Sequence, residues 1–277
     1  MRNIMIEIEY DGTNYNGWQI QPNGVTIQEA IMDAVYKLTK EKVAIQGSGR
    51  TDAKVHARGQ VANFYTKSSI AIERFPVAIN HFLPRDISIL NAKEVPHDFH
   101  AQYWAKEKQY SYQIYNRPQR SALLRNHSYH IPYELDIDKM KEAKDIFLGT
   151  HDFKGFMSTG SSIKNTVRTI TNIDIKIDYP SIWLIIRGNG FLYNMVRIIV
   201  GSLVEVGAKK LTIESLKEAL EHGKRNKAGH TAPPQGLFLD KVIYTWHTRE
   251  LVLKYMSTYI WRYPTSPGPI YIHINWL

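Results

Sequence analysis

The sequence predicts an α+β fold made of two similar units, each with antiparallel strands and helices on one face. Three observations carry this: apolar residues alternating at period two, capped amphipathic stretches between those runs, and a hairpin signature broken at Tyr179-Pro180-Ser181. Ile4, Ile6, Ile8 and Tyr10 alternate with polar neighbours, so residues 3–10 read as a strand ended by Asp11-Gly12. Thr26 and Glu29 have capping-box spacing, and Ile27, Ile31, Ala34, Val35 and Leu38 recur at helical spacing, which predicts a helix over 27–39. Strands are expected near 43–47, 59–66 and 86–95, with a short helix after Ile72. The second unit opens with a strand over 108–116, where Tyr110, Tyr112 and Ile114 share one face and Tyr115 turns to the other. A helix near 137–148 carries Ile137, Met140, Ala143, Ile146 and Phe147, and strands near 166–178 and 181–189 pair as a hairpin. A largely apolar helix runs over 192–206 with Gly207 as its terminating residue, Leu211 can staple to Leu216 across a Thr212 cap, and 237–246 reads as a closing strand. The expected organisation is therefore an N-terminal unit over 1–104, a C-terminal unit over 105–246, and an extension over 247–277. That extension carries Tyr255, Tyr259, Trp261, Tyr263, Tyr271 and Trp276, and because disordered tails are poor in aromatics it is expected to pack on the body or on a second subunit.

The chain has 277 residues, with 35 Lys and Arg against 26 Asp and Glu, a formal net charge of +9. Hydrophobic residues at 43% and charged residues at 22% are ordinary for a globular protein and exclude disordered, collagenous and coiled-coil classes. The absence of cysteine excludes disulfides, thiolate metal sites and a cysteine nucleophile, and it suits a reducing compartment. No apolar run approaches the length of a membrane span, so the expected location is the cytoplasm, with no membrane partner. A positive balance concerns partners, because clustered Lys and Arg concentrate polyanions around the protein. Over 101–130, Lys106, Lys108, Arg117, Arg120 and Arg125 face a lone Glu107, with Tyr103, Trp104, Tyr110, Tyr112 and Tyr115 interleaved. Cations for phosphates beside aromatic faces for bases suit an RNA-binding surface.

The most informative stretch for chemistry is the segment from Gly47 to Gly59. Glycines at 47, 49 and 59 permit sharp turns and close approach of a ligand, and they frame Asp52 with Arg50 and His56 nearby. On spacing alone, this is a turn in which Asp52 accepts backbone hydrogen bonds and the arginines are solvated. Arg197 stands out in an otherwise apolar helix, where an arginine is seldom buried without a carboxylate. Its stem could also snorkel to the helix edge, and no spacing rule connects it to Asp52. Phosphate-loop, dinucleotide and zinc-protease motifs are missing. The histidines, among them His56, His97, His100 and His151, are scattered and read as hydrogen-bonding residues rather than metal ligands.

Six segments occur in a telling order. They are Asp11 to Gln19, Gly49 to Ala53, Asp98 to Ala101, Tyr110 to Tyr112, Gly190 to Arg197 and Ala232 to Leu237. In that order they resemble the TruA family of tRNA pseudouridine synthases, over about residues 4 to 246. The resemblance implies two ferredoxin-like halves whose antiparallel sheets meet around a basic central cleft. It implies a homodimer, without cofactor or metal, that isomerises uridine to pseudouridine at positions 38, 39 and 40 in the tRNA anticodon arm. It makes Asp52 the catalytic aspartate, lets Arg50 hold the flipped-out nucleotide, stacks Tyr110 on the uracil and pairs Arg197 with Asp52. Lys54, His56 and Arg58 are expected to bind substrate alongside Arg50 and Tyr110. Three positions depart from the family pattern: Lys54 where glycine is usual, Gln102 where arginine is common, and the chain beyond His247. They leave open a paralogue acting on other tRNA uridines or on ribosomal RNA. A non-catalytic RNA-binding protein of similar fold would bind with a steep salt dependence and form no new nucleoside. A glycosidase would require a second placed carboxylate, and only Asp52 stands out.

Overall fold

The computed structural model describes residues 1–160 and 163–245. Residues Met1–Tyr244 form one compact unit. Its strands are β1 (Arg2–Tyr10), β2 (Gln46–Gly47), β3 (His56–Thr66), β4 (Ile87–Val95), β5 (Ala105–Asn116), β6 (Tyr129–Ile131), β7 (Gly149–Asp152), β8 (Val167–Asp178), β9 (Ser181–Gly188) and β10 (Leu237–Tyr244). Its helices are α1 (Ile27–Thr39), α2 (Phe75–Asn80), α3 (Ile137–Lys144), α4 (Met195–Gly207) and α5 (Ile213–His222). The described strands join one sheet in the order β4-β1-β3-β10-β5-β9-β8-β7, with β2 on β3 and β6 on β5.

Local pattern accounts for most elements. Ile4, Ile6 and Ile8 are fully buried, as alternation requires, and β1 lies antiparallel between β3 and β4. Thr26 accepts a hydrogen bond from the Glu29 amide at the start of α1, and the buried stripe Ile27, Ile31, Ala34 and Val35 joins the core behind β1. β8 and β9 form the expected antiparallel hairpin.

Differences arise where tertiary partners decide. β3 starts at His56, three residues earlier than expected, because its first residues pair in parallel with Phe238 and Leu239 of β10. Of the strand expected near 43–47, Gln46 and Gly47 alone pair, while Val43 and Ile45 fill the core without entering the ladder. The predicted helix over 137–148 ends at Lys144 and tightens into a 3₁₀ turn over Asp145–Phe147. α4 begins at Met195, since Asn194 takes a left-handed φ of 60°. Gly207 is inside α4 rather than beyond it; a Cβ there would stand 2.8 Å from the Met140 side chain of α3, so the glycine serves close helix packing. The left-handed residue after α4 is Lys209, at φ 59°. Thr212 caps α5 through the Ser215 amide. The extension expected over 247–277 and the last residue of the expected closing strand, Trp246, lie outside the described residues.

Candidate active site

The loop between β2 and β3 is held from several directions. The Ser48 hydroxyl donates to Gln60 Oε1 at 2.6 Å, and Gln60 Nε2 donates to the Gly49 carbonyl at 3.0 Å. The Tyr10 and Thr51 hydroxyls share a buried hydrogen bond of 2.7 Å, the Trp18 amide donates to the Thr51 carbonyl, and the Val55 amide closes a turn on the Asp52 carbonyl. Gly17 makes this possible: its φ is +89°, and a Cβ there would lie 2.6 Å from the Thr51 carbonyl oxygen. Asp52 is thus fixed at its backbone while its carboxylate remains 30% exposed.

Arg197 meets that carboxylate from the first turn of α4. Its Nη1 donates to Asp52 Oδ2 at 3.2 Å and to Asn194 Oδ1 at 2.8 Å, and its Nε donates to the Ala232 carbonyl at 2.7 Å. Three fixed acceptors leave the guanidinium little freedom, so it orients Asp52 as well as neutralising it. Burial pushes the Asp52 carboxyl upward, and the charge and hydrogen bond of Arg197 draw it back. The net displacement is upward from the ordinary carboxylate range, so burial outweighs the arginine.

Both residues line a cleft of about 1140 Å³ whose walls include Arg50, Tyr110, Lys108 and Phe191. Tyr110 presents a mostly buried ring, braced edge-on by Phe191 at 5.2 Å, and burial pushes its phenol well up. Arg50 is exposed at the cleft and, among the described residues, makes no hydrogen bond or ion pair. Asp52, Arg197, Tyr110 and Arg50 are therefore brought together.

Lys54, His56 and Arg58 are not among the residues that line this cleft. His56 is 1% exposed; its Nδ1 accepts from the Gly12 amide, its Nε2 faces the carbonyls of Asn126 and Gln235, and its ring packs against both the His127 and Phe238 rings. Burial holds this imidazole below its ordinary value. Arg58 lies over the Phe238 ring at 4.1 Å and bonds Asp240 at 2.7 Å. Lys54 is exposed on the loop with a left-handed φ of 65°, a conformation glycine adopts without cost.

Asp11, His56 and His127 bring their ligand atoms within 4.8 Å of one another. The cluster is a poor metal cage: Gly12 donates to His56 Nδ1, Thr13 donates twice to Asp11 Oδ1, and the two imidazoles stack instead of converging.

A family model described as tRNA pseudouridine synthase matches residues 6–104 and 143–245. The chain belongs to the tRNA pseudouridine synthase family. Its relatives include "tRNA pseudouridine synthase A" of Acetivibrio thermocellus, 52% identical, "tRNA pseudouridine synthase A 2" of Clostridium perfringens, 51% identical, and "tRNA pseudouridine synthase A" of Caldicellulosiruptor bescii, 51% identical. Each alignment spans 244 residues, 88% of this chain and the whole of the relative. A chain of the archaeal box H/ACA Nop10-Cbf5 complex aligns at 12% identity with a TM-score of 0.33 over 73% of this chain and 43% of its own, a score too low to compare the folds.

One residue of this synthase escaped the sequence reading. Asn194 supplies the acceptor that braces Arg197, and its signal is its place three residues before that arginine in the Gly190 to Arg197 segment. Lys108, expected from the sequence as part of the basic and aromatic stretch over 101–130, lines the cleft wall at period-two spacing from Tyr110.

Proposed function

We propose that this synthase isomerises uridine to pseudouridine in the anticodon arm of tRNA, at positions 38, 39 and 40, with Asp52 as the catalytic residue. The observation that carries this reading is the Asp52 carboxylate, bound by Arg197 at 3.2 Å in a cleft walled by the Tyr110 ring. The reaction breaks the glycosidic bond, turns the uracil and joins its carbon 5 to the ribose, conserving every atom, so it requires no hydride, phosphate or metal. A carboxylate serves either as nucleophile at C1′ or as base at C2′. Flipping the target base costs a few kcal/mol of stacking, and stacking on Tyr110 returns about 1–3 kcal/mol. Arg50, free of protein partners among the described residues, is available to hold the extruded nucleotide. Lys54 and Arg58 in this reading contact the RNA outside the cleft, while His56 acts through the loop it anchors.

The wider reading is of two ferredoxin-like halves, 1–104 and 105–246, meeting around a basic cleft, with 247–277 appended, working as a cytoplasmic homodimer without cofactor. Unmodified tRNA transcripts bearing anticodon-arm uridines, incubated with the purified protein and mapped at nucleotide resolution, test the assignment. Pseudouridine at 38 to 40 is expected. Product confined to other tRNA uridines or to ribosomal RNA would replace it with the paralogue reading.

A further inference from the structure

Lys108 and Tyr110 are two residues apart on β5, so their side chains leave the same face of the strand. Lys108 reaches across the cleft wall to the catalytic loop, where its ammonium donates to the Ser48 carbonyl at 2.7 Å. Gly49 makes room for it: a Cβ there would stand 2.5 Å from Nζ. An ammonium carries three donors. Among the described residues, Lys108 has this one hydrogen bond and no carboxylate partner. Burial, with no compensating charge, draws the amine down to about 8. A cation half stripped of water, with two donors unspent and one wall of a ligand cleft around it, lacks a counter-charge that the protein does not supply.

We propose that Lys108 binds a backbone phosphate of the RNA strand at the reacting nucleotide, beside the base that stacks on Tyr110. This rests on the reading of the cleft as the uridine site. A phosphate fits better than a uracil carbonyl, because it brings a full negative charge and several acceptors to a site that has a full positive charge and two free N–H groups. Lys108 therefore touches substrate at one end of its ammonium and holds the Asp52 loop at the other, so RNA binding and loop position are tied through one group.

The test is binding of an anticodon stem-loop as a function of salt, measured in an Asp52→Asn background so that no turnover is needed. Lys108→Gln retains a donor for Ser48 and removes the charge; Lys108→Arg retains the charge. Lys108→Gln is expected to bind about tenfold more weakly at low salt. Its slope of log affinity against log salt should be shallower by roughly 0.7, the value for one phosphate of a single strand. Lys108→Arg should restore the slope. An unchanged slope in folded Lys108→Gln overturns the proposal, whatever happens to affinity. The same question can be put from the RNA side, using uncharged methylphosphonate linkages flanking the target uridine. These should weaken the protein with Lys108 about tenfold and leave Lys108→Gln unaffected; equal losses in both would mean that Lys108 only holds the loop. Binding is read without product, so a failure of pseudouridine formation would count against the proposed activity and leave this result standing.

Discussion

Arg197→Gln removes the charge that faces Asp52 and leaves a shorter, uncharged polar side chain in its place. In the native protein burial raises the Asp52 carboxyl, and Arg197 pulls it back through both its charge and a hydrogen bond of 3.2 Å. Hydrogen bonds to charged groups contribute about 1.5–3 kcal/mol. With the Asp52 carboxylate 30% exposed and Arg197 15% exposed, the lower end of that range applies, and at about 1.4 kcal/mol per pH unit the acid limb should climb by about one unit. The sign follows from the chemistry: without the arginine the ionised form loses its partner, so protonation occurs at higher pH. The assay is kcat/KM for pseudouridine formation across pH in the native protein, Arg197→Gln and Arg197→Lys. Turnover in Arg197→Gln should also fall by about a hundredfold, since the carboxylate loses its orienting fork. Arg197→Lys should keep most of the acid limb while losing turnover. An acid limb unmoved in Arg197→Gln would refute the claim that this arginine controls the ionisation of Asp52.

Three further outcomes follow from the same contacts. Gly17→Ala should cost about 2 kcal/mol in denaturant unfolding, because a Cβ would meet the Thr51 carbonyl at 2.6 Å and φ is +89°. Lys54→Gly should leave stability within about 1 kcal/mol, its φ of 65° being one glycine accepts freely. The thermal midpoint should fall as pH drops below 6.5: burial depresses His56 in the folded state, so the unfolded chain takes up the proton first, and His56→Gln should flatten that part of the curve.

Sequence pattern revealed what depends on neighbours along the chain. The alternation of β1, the Thr26-capped stripe of α1 and the β8–β9 hairpin are each legible from residue spacing within one element or one hairpin, where period and capping act. The parallel contact of β3 with β10 was invisible because His56 and Phe238 carry no mark of each other, and so the early start of β3 was missed. The packing role of Gly207 likewise depends on a partner from elsewhere, the side chain of Met140. The candidate site shows the same division. Asp52 and Arg197 were each conspicuous, one on a glycine-framed loop and one in an apolar helix, yet 145 residues separate them and no spacing rule connects them, so their pairing rested on the ordered family motifs. His56 looked like part of the site by its distance along the chain from Asp52, but the histidine, carbonyl and aromatic contacts that enclose it come from three distant segments.

In the proposed function one carboxylate, Asp52, performs the isomerisation in this cleft. The most direct test is to treat the same tRNA transcript with the native protein and with Asp52→Asn, then map pseudouridine at each uridine while measuring RNA affinity in parallel. Product is expected at the anticodon-arm uridines with the native protein, none with Asp52→Asn, and similar binding by both. Pseudouridine formed at native levels by Asp52→Asn would contradict this role of Asp52.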